Sequence, residues 1–245
     1  DGLKHFVHAS ERFPLTAYGR LNTYSLFAEH CRTIVAEHGT AGVIVPTGIA
    51  TDSFNQHFFK DLLLQRSLVS LYDFENSRPL FDGVHRSFKF CLLTLAGSAN
   101  AVQPADFAFF LRHPDDLARE GARFELTPDE LLLLNPNTGT CPVFRSRRDA
   151  EITLAIYRRW PILIRDDDDS PAGNPWGLSF QLMFMMNTDS YRFRTRDQLE
   201  ADGWTLTSNV FQRSAGEGKV DRMLPLYQGM MAAPYDHRSS DVIKD

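Results

Sequence analysis

The sequence predicts an α/β protein that carries the distal half of a doubly wound sheet and continues into an α+β region. Three observations point there. Helical and strand periodicities alternate between residues 20 and 95, the strands are short apolar runs, and no glycine-rich ligand-binding turn precedes them. Folds of this kind bind their ligand at the carboxyl ends of the early strands, beside such a turn. The chain therefore reads as a piece of a larger polypeptide whose first half-sheet lies upstream of Asp1.

Each element follows from its pattern. Tyr24, Phe27, Ala28, Cys31, Ile34, Val35 and His38 fall at three- and four-residue steps, one face of a helix that Gly39 would end as a left-handed C-cap. Val43 to Val45, between Gly42 and Pro46, predicts a short strand buried on both sides. Asp52 is placed to cap the next helix, whose face runs through Phe54, Phe58, Leu62 and Gln65. Leu68 to Phe74 and Phe88 to Leu95 read as strands, the second apolar on both faces and so internal. Glu75 to Ser87 is too short for a crossover helix, so the strand from Phe88 is expected antiparallel, between the other two.

A boundary is expected between Gly97 and Glu125, dividing the chain into residues 1–112 and 125–245. Phe107 to Leu111 would add an edge strand, and His113 to Arg123 is polar. Thr127-Pro128-Asp129-Glu130 is a helix start, with a capping hydroxyl, proline at the first position and a carboxylate three residues on. Ser146 would cap a helix with Ile152, Ala155, Ile156 and Trp160 on one side. Asp166 to Asp169 reads as a solvated turn without the spaced ligands of a metal site, and Thr195 to Gly203 as a short capped helix.

Composition agrees with an ordinary globular protein of one or two domains: 245 residues, a formal net charge of −5, no apolar run long enough to span a membrane and no signal-peptide pattern. The expected setting is cytoplasmic. Cys31, Cys91 and Cys141 are isolated and odd in number, which argues against a disulfide framework and a zinc site; Cys31 and Cys91 are expected in the core. The histidines show no ligand spacing, and no Ser-His-Asp or paired-carboxylate constellation is visible.

Several runs, in order, carry a resemblance. They are Gly19-Arg20-Leu21-Asn22-Thr23-Tyr24-Ser25-Leu26-Phe27-Ala28-Glu29, Gly42-Val43-Ile44-Val45-Pro46-Thr47-Gly48-Ile49-Ala50-Thr51-Asp52, and Ser70-Leu71-Tyr72-Asp73-Phe74-Glu75-Asn76 with Leu80-Phe81 and Phe88 to Leu93. Asn135 to Pro142, Phe144 to Ala150, Asn174-Pro175-Trp176-Gly177, Leu224-Pro225-Leu226-Tyr227 and Asp236-His237-Arg238 continue it. Together these resemble adenine-specific DNA methyltransferases of restriction-modification and phage-defence systems, the class with an Asn-Pro-Pro-Tyr motif. The resemblance covers most of the chain.

It implies the C-terminal half of a Rossmann-like methyltransferase sheet, last strand antiparallel, in residues 1–112. A linker and the start of a DNA target-recognition region would follow in 125–245. The implied activity is methyl transfer from S-adenosylmethionine to adenine N6 in double-stranded DNA. The family's Phe-x-Gly-x-Gly loop for the cofactor and its Asn-Pro-Pro-aromatic tetrapeptide do not occur here. Asn174-Pro175-Trp176-Gly177 lacks the second proline and reads as a turn. No catalytic residue is therefore expected in this chain; the missing N-terminal half of the same polypeptide would supply catalysis, and the chain alone would bind no cofactor and be inactive.

Adenine N6 is paired and stacked, so the base must be flipped out at a cost of a few kcal/mol. Stacking on an aromatic returns about 1 to 3 kcal/mol. Related enzymes place one such aromatic just before the last antiparallel strand, where this chain has Phe81, within Arg78 to Gly83. Phe81 either stacks the base or folds back to seal the sheet end. Pro46 and Thr47, ending a parallel strand, either line the same crevice or only make a strand-to-helix turn. Arg145, Arg147, Arg148, Arg158 and Arg159, with Arg192, Arg194 and Arg196, are candidates for DNA phosphates, although Asp149 and Glu151 among them also fit a solvated helix with internal ion pairs. A second class of function is a DNA-binding or interaction module that keeps part of a methyltransferase fold without any reaction.

Overall fold

The computed structural model describes residues 2–226 apart from 79, 103, 183 and 217, so Pro79, Tyr227 and the run Asp236-His237-Arg238 lie outside the described residues. The chain is mixed α/β and divides into two compact units, Asp1–Leu178 and Ser179–Asp245.

The first unit opens with helices α1 (Gly2–Ala9) and α2 (Thr23–Ile34), then strand β1 (Thr40–Pro46), a short helix α3 (Gly48–Thr51), α4 (Gln56–Leu64), β2 (Leu68–Glu75), β3 (Lys89–Ala96) and β4 (Ala105–Leu111). After β5 (Phe124–Leu126) come α5 (Pro128–Leu134) and α6 (Arg147–Arg159). The five strands make one mixed sheet in the order β1-β3-β2-β4-β5. β3 lies antiparallel between β1 and β2, with Val45 opposite Cys91 and Tyr72 opposite Leu92, as its two apolar faces and short connection require. β2 and β4 run parallel, and β5 closes the far edge antiparallel to β4.

Alternation along the strands sorts the core into two clusters. Leu71, Cys91, Leu93, Leu95, Phe107 and Phe109 share the larger with Ala28 of α2, Phe58, Phe59 and Leu62 of α4, Leu131 of α5 and Leu154 of α6. Each fully buried Phe or Leu here contributes roughly 1.5 to 3 kcal/mol. The opposite set, Phe74, Ala108 and Leu111, is smaller and backed by Tyr72, Phe90, Leu92 and Leu117. A doubly wound sheet covers both faces with helices, whereas here the helices α2, α4, α5 and α6 all join one cluster.

Several expectations are corrected. β1 is an edge strand among the described residues rather than one buried on both sides: β3 is its one neighbour there, and Ile44 is 59% exposed. β4 is internal instead of an edge strand, because β5 pairs beyond it. That pairing joins Phe107 to Phe124, and the two compact units divide after Leu178. On α2 the buried residues are Ser25, Ala28 and Glu29, while Phe27 and Ile34 are exposed. The helix is rotated because Glu29, buried, accepts the Thr16 hydroxyl at 2.6 Å and the backbone N–H groups of Leu15 and Thr16. It ends at Ile34 with extended Val35, so Gly39 is not its left-handed cap.

Asp52 precedes a 3-10 turn, Ser53–Asn55, and makes no capping bond, since the chain is already helical from Gly48. On α4, Phe58 and Leu62 are buried as expected, but Phe59 and Leu63 are buried with them and Phe54 is exposed. On α6 the buried residues are Ala150 and Leu154, facing α5, and the expected Ile152, Ala155, Ile156 and Trp160 face outward. The capping signals were read correctly: Thr127 and Glu130 form a full capping box, and Ser146 accepts the Asp149 N–H. Gly97 is needed for close approach, because a Cβ there would collide with the Ala36 carbonyl where the exit of β3 meets the 36–39 turn.

The second unit holds α7 (Met186–Asp189), α8 (Arg196–Ala201) and a meander of β6 (Thr205–Thr207), β7 (Val210–Gly216) and β8 (Lys219–Met223). Thr195 and Gln198 box the start of α8 as expected, and Gly203 ends it at φ +79°. No helix among the described residues is long and apolar enough to cross a membrane.

Candidate functional site

The parallel strands β1, β2 and β4 end on one rim of the sheet, and β3 enters there. A buried carboxyl organises this rim. Asp73, near the end of β2, accepts the Thr47 hydroxyl at 2.6 Å and lies 3.4 Å from the N–H of Phe110 at the end of β4. Burying Thr47 and Asp73 without each other would cost each its water, so the pair fixes the turn after β1 to the middle of the sheet. Thr47 thus has its hydroxyl engaged inward, while Pro46 stands exposed at the rim, opposite Phe90.

Asn76, one residue past β2, is fully buried and anchors the following loop. Its amide donates to the carbonyls of Phe81 at 3.0 Å and Val84 at 2.9 Å, and its oxygen accepts the N–H groups of Leu80 and Phe81. All four bonds satisfy a side chain that would otherwise be costly to bury. Phe81 is thereby placed edge-on against Phe90, ring centroids 5.0 Å apart, and Phe90 in turn stacks on Phe74 at 5.4 Å. Even so, Phe81 remains 40% exposed. It seals part of the sheet end and still offers surface to a ligand.

Asn55 ties this rim to α2: its amide donates to the Gly48 carbonyl at 2.9 Å and to the Tyr24 hydroxyl, and its oxygen accepts the Ser25 hydroxyl at 2.8 Å. Sequence reasoning singled out none of Asp73, Asn76, Asn55 or Glu29. The available signal was a polar residue inside an otherwise apolar strand or helix face.

The arginines separate into two kinds. Arg147 and Arg148 pair with Glu151, and Arg158 with Glu130 at 3.0 Å. In the second unit Arg192 pairs with Asp189 and Arg196 with Glu200, while Arg194 donates to the carbonyls of Tyr191 and Phe193. Arg145 and Arg159 instead lie over aromatic rings, Phe110 and Trp160. Exposed pairs of the first kind contribute little to stability, but they neutralise charge locally.

Asn174 closes its own turn, exchanging side-chain hydrogen bonds of 2.8 Å with the N–H and carbonyl of Leu178, with Gly177 at φ +60°. Beside it, a cleft of about 410 Å³ lined by Leu132, Tyr157, Trp160, Arg165 and Pro175 lies against α5 and α6, away from the Asp73 rim. The acidic run forms a turn in which Asp168 accepts the Ser170 N–H at 2.9 Å, and hydrogen bonds from Ser170 hold its carboxyl below the ordinary range. Among the described residues no three His, Cys, Asp or Glu converge as for a metal ion. Burial pushes the thiols of Cys91 and Cys141 well up, so neither is poised as a nucleophile.

No protein-family model matches the chain, and no curated protein matches it in sequence.

Proposed function

We propose that the chain is the distal half of the catalytic domain, with following segments, of a DNA methyltransferase that transfers a methyl group from S-adenosylmethionine to adenine N6, within a restriction-modification or phage-defence system. The observation that carries this reading is β3, antiparallel between parallel β1 and β2 and reached without a crossover. That arrangement resembles the end of a methyltransferase sheet, and it coincides with the sequence runs that resemble the family.

In this reading the rim receives the flipped adenine. Phe81 stacks against it, positioned by Asn76, and Pro46 lines the approach. Thr47 acts through Asp73, holding the turn after β1 rather than touching the base. The residues present do not fit the cofactor: the strand-to-helix turn at Gly48 is filled by the Asp52 carboxyl, and the family's glycine loop and Asn-Pro-Pro-aromatic tetrapeptide are absent from the sequence. Methyl transfer would depend on residues outside this chain.

The test is transfer of labelled methyl groups into duplex DNA, by the chain alone and by the full polypeptide its genome encodes, with calorimetric titration of S-adenosylmethionine into the chain. The expected result is transfer by the full polypeptide, and neither transfer nor tight cofactor binding by the chain alone. Micromolar cofactor binding by the isolated chain would contradict the half-domain reading. DNA binding without methylation by the full polypeptide would favour a non-catalytic module.

A further inference from the structure

From the way β4 ends, we infer a phosphodiester-binding site at the rim, formed by Lys89 and Arg145, both gathered at the Phe110 ring; this rests on the proposal that the chain acts on DNA. Between Tyr72 and Phe74 β2 advances two residues, while β4 advances three, from Ala108 to Leu111. The extra residue is a bulge, a feature rare in parallel pairs and frequent beside active sites, where it re-aims a side chain. Phe107 and Phe109 belong to the larger core cluster, Ala108 and Leu111 to the smaller. Leu111 therefore takes the place that strict alternation would give Phe110, and Phe110 is turned out, 40% exposed.

Its backbone is at φ +60°, a conformation costly for a bulky aromatic, and the buried Asp73 carboxyl receives its N–H. A strained, outward-facing phenylalanine at the end of a core strand adds nothing to the core.

What the bulge gains is the position of the ring. Lys89 Nζ lies 5.0 Å from its centroid and the Arg145 guanidinium carbon 5.8 Å. Both cations are exposed, and among the described residues neither is ion-paired. Glu75, opposite Lys89 in the sheet, is taken by Arg112 at 3.6 Å. An aromatic face holds two like charges together without neutralising either. An anionic backbone satisfies that arrangement, and Arg presents the planar fork that phosphate oxygens match. Lys89 and Phe90 point to opposite faces of β3, so the cation pair and the Phe81–Phe90 contact occupy the two sides of one rim. Phosphate gripped on one side and a base drawn to the other is the division of labour that extrusion requires.

The experiment is a fluorescence-anisotropy titration of a labelled duplex oligonucleotide with the chain, repeated over roughly 50 to 200 mM salt. Lys89→Gln and Arg145→Gln should each reduce the salt slope by about 0.9, and the double variant by about 1.8. Phe110→Leu keeps both charges and should weaken binding about two- to five-fold with the slope unchanged. Arg123→Gln, whose guanidinium is paired with the Asp106 carboxylate at 2.7 Å, should leave the slope alone. If the wild-type chain binds and the two glutamine variants keep its slope, the phosphate contacts lie elsewhere and this site is wrong, while the DNA reading stands. If the folded wild-type chain fails to bind duplex even at low salt, both fall together.

Discussion

Asn76 grips Phe81 at both of its backbone groups, donating to the carbonyl at 3.0 Å and accepting the N–H at 3.2 Å. A buried side chain five residues upstream thus sets the position of the aromatic. Asn76→Asp keeps the size and one oxygen acceptor but loses the donors to Phe81 and Val84. It should lower the free energy of unfolding by about 1 to 3 kcal/mol. Urea denaturation measures this, and an unchanged midpoint would mean that the loop is held by something other than Asn76.

Phe81→Ala separates the two roles of that ring. As a half-exposed residue it should cost little folding stability, whereas Phe74→Ala, nearly fully buried, should cost about 3 to 5 kcal/mol. In single-turnover methylation by the full polypeptide, Phe81→Ala should lose one stack, about 1 to 3 kcal/mol or roughly ten- to two-hundred-fold. A mismatched target adenine should recover part of the loss, because extrusion then costs less. An unchanged rate on both duplexes would leave Phe81 as packing alone.

The sheet was legible where the chain had to satisfy itself locally. Thr127 and Glu130, Ser146, and Thr195 with Gln198 all cap as their spacing predicts, because a cap is decided within four residues. The place of β3 followed from loop length and two-sided apolarity. What failed was orientation. Whether Leu154 or Ile156 of α6 faces inward depends on what packs there, and both belong to acceptable helical stripes. Turns without glycine were also hidden: Arg66 takes the left-handed position after α4, and Ser208 and Asn209 take both left-handed positions of the β6–β7 hairpin. At the rim, the resemblance singles out Phe81 as a candidate, while nothing singles out Phe110, since a bulge leaves no mark in a run of Phe and Ala.

The three thiols should differ sharply in reactivity. Cys91 and Cys141 are buried and shifted upward, whereas Cys31 is partly exposed. The thiolate is the reacting species, so an aromatic disulfide reagent at mildly alkaline pH should modify Cys31 first. The other two should follow only at the rate of unfolding, and all three should react at once in denaturant. Rapid native reaction of more than one thiol would contradict this packing.

Alkaline pH should reveal Tyr72. Burial, then its 2.7 Å hydrogen bond to Asp106, raises its phenol above the ordinary 10.0. A raised folded value means the native state holds the proton more tightly. The contribution is therefore complete below the ordinary value and lost as pH rises through the folded one. Thermal melts of Tyr72→Phe should fall less steeply with pH above 10.0 than those of the wild type. Equal slopes would mean that Tyr72 titrates as in the unfolded chain.

β3 is the last of its trio to be synthesised, yet it lies in the middle. Among the described residues its neighbour β1 has no other partner, and β2 has only β3 and the still later β4. A nascent chain that stops short of Lys89 therefore holds two strands that cannot pair with each other in native register. The ordered event is closure of the local hairpin of residues 68–96, onto which residues 40–46 then dock across a longer gap in sequence. Pulsed hydrogen exchange during refolding should show the amides of the hairpin protected first; earlier protection of β1 would reverse the sequence. Of these three strands, the one that leaves the ribosome first is, by this geometry, among the last to find its place.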